Sequence, residues 1–180
     1  MPKAYDLPFW EYFSVPYLKN NSKFKYKKSI IIPNAIEIEK RKYKRNKKEF
    51  KFIYVGRYDV KVKGLDLLIP TFIKLKDWLE ENNITLELFG PKVESEALNN
   101  LKQEIKKAKC QKIIKINGPV YGDDKDKVLQ EGNVFIQTSR NEGQPMGIIE
   151  ALSFGTPCVC TYQTSFGHYC NEFECGIGIN

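Results

Sequence analysis

The chain has 180 residues, 42% of them hydrophobic and 28% charged, with 29 Lys/Arg against 22 Asp/Glu and a formal charge of +7. That suits one ordinary domain with enough apolar residues for a core, or one domain with a remnant of another. No apolar run approaches the roughly 20 residues of a membrane-spanning helix, Met1 to Asp6 lack a signal-peptide core, and five irregularly spaced Cys argue against a secreted disulfide framework.

Residues 1–29 are aromatic and basic, broken by Pro8, Pro16 and Asn20-Asn21, and read as an interdomain segment or the remnant of an N-terminal domain. Residues 30–180 read as the folded domain. Ile30 to Pro33 form a short buried strand stopped by proline. Residues 39–49 are a charge run, expected to be a solvated loop. Up to Lys51 there are 14 Lys/Arg against 5 Asp/Glu, net +9; beyond it there are 15 against 17, net −2. The basic balance therefore belongs to an arm, and the globular part is not basic.

From Lys51 the pattern turns regular. Lys51 to Gly56 is a strand. Residues 64–81 place Leu65, Leu68, Phe72, Leu75 and Leu79 on one helical face. Ile84 to Phe89 is a strand stopped by Gly90-Pro91. Residues 93–108 put Val93, Ala97, Leu101, Ile105 and Ala108 on a second helical face. Ile113 to Ile116 is a strand, and Asp123 to Gln130 a short helix capped by Asp123 or Asp124. Val134 to Thr138 is a strand, Met146 to Phe154 a helix with Pro145 near its first turn, and Pro157 to Thr161 and Gly176 to Ile179 are strands. Strands alternating with helices predict right-handed βαβ units: an α/β, Rossmann-like parallel sheet of about six strands with helices on both faces. Its ligand belongs at the carboxyl ends of the strands. The chain ends on strand-like residues, so the domain is expected to be truncated at its C-terminus.

Chemistry is therefore sought just after each strand. After the first come Gly56-Arg57 and Lys63-Gly64 at a helix start. A guanidinium fork, an ammonium and oriented N–H groups together suit a pyrophosphate, although an Arg and a Lys in such a loop can equally be surface residues. After the fourth come Glu142, Gly143, Gln144, Pro145, Met146 and Gly147, with Glu150 one turn into the helix. Carboxylates accept hydroxyl hydrogen bonds, as sugar or ribose diols require, and glycines let backbone approach a ligand.

Three motifs in chain order carry a family resemblance. Glu142 to Glu150, within Ser139 to Leu152 and followed by Gly155-Thr156-Pro157, resembles the E-x7-E signature of family 4 retaining glycosyltransferases. Ile32-Pro33-Asn34-Ala35-Ile36 resembles the family's I-P-N-G-[IV] element, with Ala35 in place of the Gly. Gly56-Arg57 through Lys63-Gly64-Leu65-Asp66-Leu67-Leu68 resembles its G-R-x-x-x-x-x-K-G-x-D-x-L element. The resemblance covers about residues 30–179 and implies the C-terminal, donor-binding half of a GT-B fold.

The resemblance further implies a nucleoside diphosphate sugar (UDP or GDP) as donor, transferred to a hydroxyl acceptor with retention. Arg57, Lys63 and Glu142 would be the catalytic residues: Arg57 and Lys63 would hold the diphosphate and offset charge on the departing nucleotide, and Glu142 would face the donor sugar, while Glu150 would hold the ribose. The amides of Gln144, Met146 and Gly147 would line the sugar-phosphate, Gly56, Gly143 and Pro145 would also lie at the substrate, and Val120 and Tyr121 would meet the base. No metal and no cofactor are implied. The N-terminal acceptor domain would be a missing partner, and the fragment alone is expected to be inactive. Cell-surface glycan or polysaccharide synthesis is the implied setting, in the cytoplasm, with the basic arm available to the inner face of the membrane. No nucleic acid is expected, although a basic arm on a stand-alone binding module for nucleic acid or an anionic membrane is the rival reading; a GT-B epimerase is a closer one.

Several other features read as structural. Asp124-Lys125-Asp126 fits a D-x-D metal motif but starts a helix. Cys158, Cys160, Cys170 and Cys175 match no common zinc spacing. His168, the single His, is expected in a solvated loop.

Overall fold

The computed structural model describes Asn34, Ile36, residues 49–91 and residues 95–180. Residues 1–29, the predicted strand Ile30 to Pro33, Ala35, the charge run up to Lys48 and Val93 lie outside the described residues. In chain order the elements are β1 (Phe50–Val55), α1 (Leu65–Lys74), α2 (Lys76–Glu81), β2 (Ile84–Phe89), α3 (Glu96–Lys107) and β3 (Ile114–Asn117). They continue as α4 (Gly122–Glu131), β4 (Val134–Gln137), α5 (Met146–Ser153), β5 (Cys158–Thr161), a 3-10 turn (Tyr162–Thr164), α6 (Gly167–Glu172) and β6 (Gly176–Ile179).

All six strands are parallel, in the order β3-β2-β1-β4-β5-β6. The chain builds outward from β1 in one direction, then returns to β4 on its other side and builds the opposite way. With right-handed crossovers, the two halves must place their helices on opposite faces. The core follows that rule. Tyr54 and Ile136 pack with α1, α2 and α3 through Leu65, Leu68, Ile69, Phe72, Leu79, Leu98, Leu101 and Ile105. Their strand neighbours Ile53 and Phe135 point the other way and pack with Leu129 of α4, Ile148 and Ala151 of α5 and Cys170 of α6. This is the period-two alternation of a sheet buried on both sides.

The helix ends obey local chemistry. Ser95 caps α3, its Oγ accepting the Leu98 N–H at 3.2 Å, and Lys106 and Lys107 sit in the last turn where the dipole favours cations.

Several sequence expectations are corrected. The helix predicted over 64–81 is two helices, broken at Leu75 (φ −93°, ψ 10°). The break turns Leu75 out to solvent, while Ile69 and Leu79 are buried. Neither Gly nor Pro marks it. On α3, Leu98 takes the inward place and Ala97 is exposed. Helix α4 starts one residue earlier than predicted, at Gly122 after Tyr121, so Asp123 and Asp124 lie in its first turn and do not cap it. His168 is not in a loop but in α6, a helix the periodicity did not reveal because six residues hold too few turns to show one.

The strand ends make the crevice. Pairing of β1 with β2 runs to Val55↔Phe89, whereas pairing of β1 with β4 is Phe52↔Val134 and Ile53↔Phe135. Past that point β1 and β4 part. This is the switch point of a doubly wound sheet, where ligands bind.

Candidate functional site

A cavity of about 460 Å³ lies over the carboxyl ends of β1 to β4. From the β1–α1 loop it takes Gly56, Arg57 and Lys63; from the α4 side Val120, Tyr121 and Lys125; from the β4–α5 side Glu142, Gln144, Pro145, Met146, Gly147 and Glu150. Every site residue predicted from sequence therefore lines this one cavity, except Gly143. Gly143 is exposed, and a Cβ there would meet nothing within 4 Å. Gly147 lines the wall, but its missing side chain is required from behind: a Cβ would come within 2.9 Å of the Phe135 ring.

The β1–α1 loop is held from three sides. The buried Tyr58 hydroxyl lies 2.9 Å from the Leu88 carbonyl and 2.7 Å from the Asn117 carbonyl, tying the loop to the ends of β2 and β3. Tyr54 donates to the Arg57 carbonyl at 2.8 Å. Burial, reinforced by the nearby Glu142 charge, pushes the Tyr54 phenol far up, so it remains a donor. On the third side, Arg140 donates its N–H to Val62 O at 2.8 Å and its guanidinium to Lys61 O at 2.7 Å. The same guanidinium grips both oxygens of Asp66, at 2.6 and 3.1 Å.

These contacts bring two distant charges together. Lys63 Nζ donates to Glu142 Oε1 at 2.5 Å. The same oxygen accepts from Gln137 Nε2 at 2.8 Å and from Ser139 Oγ at 2.7 Å. A second ion pair, Lys125 Nζ to Glu150 Oε1 at 2.8 Å, crosses from α4 to α5. Arg57 makes no side-chain hydrogen bond or ion pair among the described residues. Of the three cavity cations, it is therefore the one left uncommitted.

Asn34, from the first predicted motif, reaches the same wall. Its N–H donates to Gln144 Oε1 at 2.8 Å, and Gln144 Nε2 donates back to the Asn34 carbonyl at 3.3 Å. Tyr54, Gln137 and Lys125 line the cavity too and were not singled out from the sequence. Gln137 carried a usable signal: it is an amide ending an otherwise apolar strand, Val134-Phe135-Ile136.

The other features stay outside the cavity lining. Asp124 and Asp126 of the D-x-D match lie on α4, Asp124 exposed and Asp126 half-buried. His168 stacks on Tyr162, ring centroids 4.5 Å apart. Cys158, Cys160 and Cys170 are buried free thiols, with the Cys160 and Cys170 sulfurs 3.6 Å apart. Among the described residues no three His, Cys, Asp or Glu gather as a metal-ligand set, and no helix is long and apolar enough to cross a membrane.

The Arg140–Asp66 clamp makes a pH prediction. Burial pushes the Asp66 carboxyl up, but the hydrogen bonds and charge of Arg140, with Lys61, outweigh it and hold it below 3.8. A carboxylate with a lowered folded pKa adds stability that is present above its unfolded value, about 4, and lost as pH falls through the folded value. Asp66→Asn should therefore flatten the acid limb of a melting-temperature profile below about pH 4. An unchanged slope would show that the clamp adds nothing to the folded state.

The family described as Glycosyl transferases group 1 matches residues 35–180. Mannosylfructose-phosphate synthase of Agrobacterium fabrum (strain C58 / ATCC 33970) is 32% identical over 102 residues, which is 55% of this chain and 22% of that protein. The crystal structure of WaaG, a glycosyltransferase involved in lipopolysaccharide biosynthesis, superposes with TM-score 0.63 at 19% identity, over 74% of this chain and 34% of that one. HepE of Anabaena, in complex with UDP and glucose, gives TM-score 0.57 at 21% identity, over 66% and 31%. These structural likenesses show the fold: an α/β, Rossmann-like domain of the kind found in GT-B proteins. The chain spans 22% of the length of that curated relative and about a third of these solved chains. The match over most of the chain settles the family: this protein belongs to the glycosyl transferases group 1.

Proposed function

We propose that the chain is the donor-binding half of a retaining, family 4 glycosyltransferase. It binds a nucleoside diphosphate sugar, UDP- or GDP-linked, and the whole enzyme moves the sugar to a hydroxyl acceptor in cell-surface glycan or polysaccharide synthesis. The observation that carries the reading is the gathering of Arg57, Lys63, Glu142 and Glu150 around one cavity at the switch point. HepE, of like fold, was crystallised with UDP and glucose, which supports a nucleotide-sugar donor here.

Arg57 and Lys63 hold the diphosphate. As the sugar–oxygen bond breaks, they offset the charge growing on the leaving nucleoside diphosphate, without a metal or cofactor. Glu142 faces the sugar; its Oε1 is saturated by Lys63, Gln137 and Ser139, which leaves Oε2 for hydroxyls. Glu150 accepts from the ribose, and Val120 with the exposed Tyr121 meets the base. The Met146 N–H is already used on the Gln144 carbonyl at 3.0 Å, so the Gly147 N–H is the amide offered to the sugar-phosphate. The acceptor domain is supplied elsewhere, and this half alone does not turn over. The enzyme works in the cytoplasm, and the +9 arm attracts it to the anionic inner face of the membrane.

Calorimetry with UDP and GDP tests the reading. One of them should bind, and Glu150→Ala should weaken it at least about tenfold, the loss of a charged hydrogen-bond partner to the ribose. If neither binds the folded chain at millimolar concentration, and duplex DNA binds with a steep salt dependence, the basic-arm rival takes its place.

A further inference from the structure

Lys125 lines the cavity but has no part in the donor reading above. Its position is odd for a surface lysine. It sits near the start of α4, where the helix dipole disfavours a cation, and Asp123 and Asp124 already supply the negative charge that end favours. The side chain instead crosses to α5 and pairs with Glu150 at 2.8 Å, with 29% and 27% of the two side chains exposed. Both therefore lie against the wall rather than in free solvent.

The pair is neutral as a whole, and it is half spent. The ammonium has three donors, and one goes to Glu150 Oε1. Glu150 Oε2 takes no protein hydrogen bond among the described residues. The wall thus presents donors beside an acceptor. A hydroxyl is the group that matches, because it donates once and accepts as well. A phosphate, which only accepts, would meet the Glu150 carboxylate. The phosphates are left to Lys63, on the β1–α1 side of the cavity, and to Arg57, which has no ion pair among the described residues.

We propose that Lys125 is a specificity-determining residue for the ribose. Glu150 Oε2 accepts a ribose hydroxyl proton while Lys125 donates to that hydroxyl's oxygen, so the pair reads ribose against deoxyribose. This rests on the donor-site reading and adds a residue and a discrimination to it.

The test is calorimetry of the full chain with UDP and GDP, with the 2′-deoxy and 3′-deoxy forms of whichever binds, and with inorganic pyrophosphate. The parent should prefer the ribonucleotide by about tenfold or more, since a site built to bond a hydroxyl penalises its absence. Lys125→Met should reduce that preference to about threefold or less while leaving pyrophosphate affinity within about twofold. Lys125→Gln, polar and uncharged, should move the ratio the same way and serves if the Met variant does not fold. A preference unchanged in the folded variant overturns the role of Lys125 and leaves the donor site standing. So does a matching loss of pyrophosphate, which would make Lys125 a phosphate ligand. No nucleotide binding by the parent removes the donor site and this proposal with it.

Discussion

Replacing Arg57 with Ala is expected to lower the affinity of the chain for UDP or GDP by about a hundredfold, because a guanidinium fork makes two charge-assisted bonds to a diphosphate. The charge balance of the cavity explains why this side chain matters most. Lys63 is paired with Glu142 and Lys125 with Glu150, so each cation is largely offset. Arg57 is exposed at the mouth, with no ion pair among the described residues, and supplies the uncompensated charge. The fold should not suffer, since only the Arg57 backbone is used, by Tyr54. Arg57→Lys should recover only part of the loss, because an ammonium cannot reproduce the planar fork. Calorimetry beside a thermal melt separates the two effects. An affinity within about threefold of the parent, with the melt unchanged, would remove Arg57 from the diphosphate site.

Gly64→Ala should cost about 3 kcal/mol of stability or more, among the largest losses any single methyl can cause in this fold. Gly64 has φ +65° and ψ 26° at the start of α1. Alanine is strained there, and its Cβ would fall 1.9 Å from the Thr138 carbonyl oxygen, which is backbone and cannot rotate away. The Thr138 hydroxyl also donates to the Gly64 carbonyl at 2.9 Å, so the β1–α1 and β4–α5 loops are in direct contact. Forcing them apart separates Lys63 from Glu142, and nucleotide binding should fall along with stability. Gly143→Ala is the control. It adds the same methyl where nothing stands within 4 Å, and should stay within about 0.5 kcal/mol of the parent. Urea unfolding of the two variants decides it. A Gly64→Ala protein as stable as Gly143→Ala would mean that the loops do not need their close approach.

Residues 134 to 150 show how far the letters of the sequence reach. Val134-Phe135-Ile136 is apolar enough to be a strand buried on both faces, and the loop after it had to lie at a carboxyl end once the sheet was parallel. Glu142, Gln144, Met146, Gly147 and Glu150 are therefore legible in the sequence as cavity residues. The same holds for Arg57 and Lys63 after β1. What these residues touch was not legible. Lys63 and Glu142 are 79 positions apart, Arg140 and Asp66 are 74 apart, and Lys125 and Glu150 are 25 apart.

Element type and strand-end position were thus decided by the sequence itself, because apolar period, turn residues and strand–helix alternation are local properties that force a parallel, two-faced sheet. The pairings, the inward place of Leu98 over Ala97, the solvent-facing Leu75 and the short helix α6 were decided by tertiary structure. They depend on which strands become neighbours and where their pairing stops, and the early parting of β1 from β4 after Ile53 and Phe135 is what opens the cavity between them. Lys125 shows the difference most clearly. In the chain it is the middle of an acidic helix start; in the fold it pairs with Glu150 on the cavity wall, because β3 and β4 deliver α4 and α5 to the same end of the sheet.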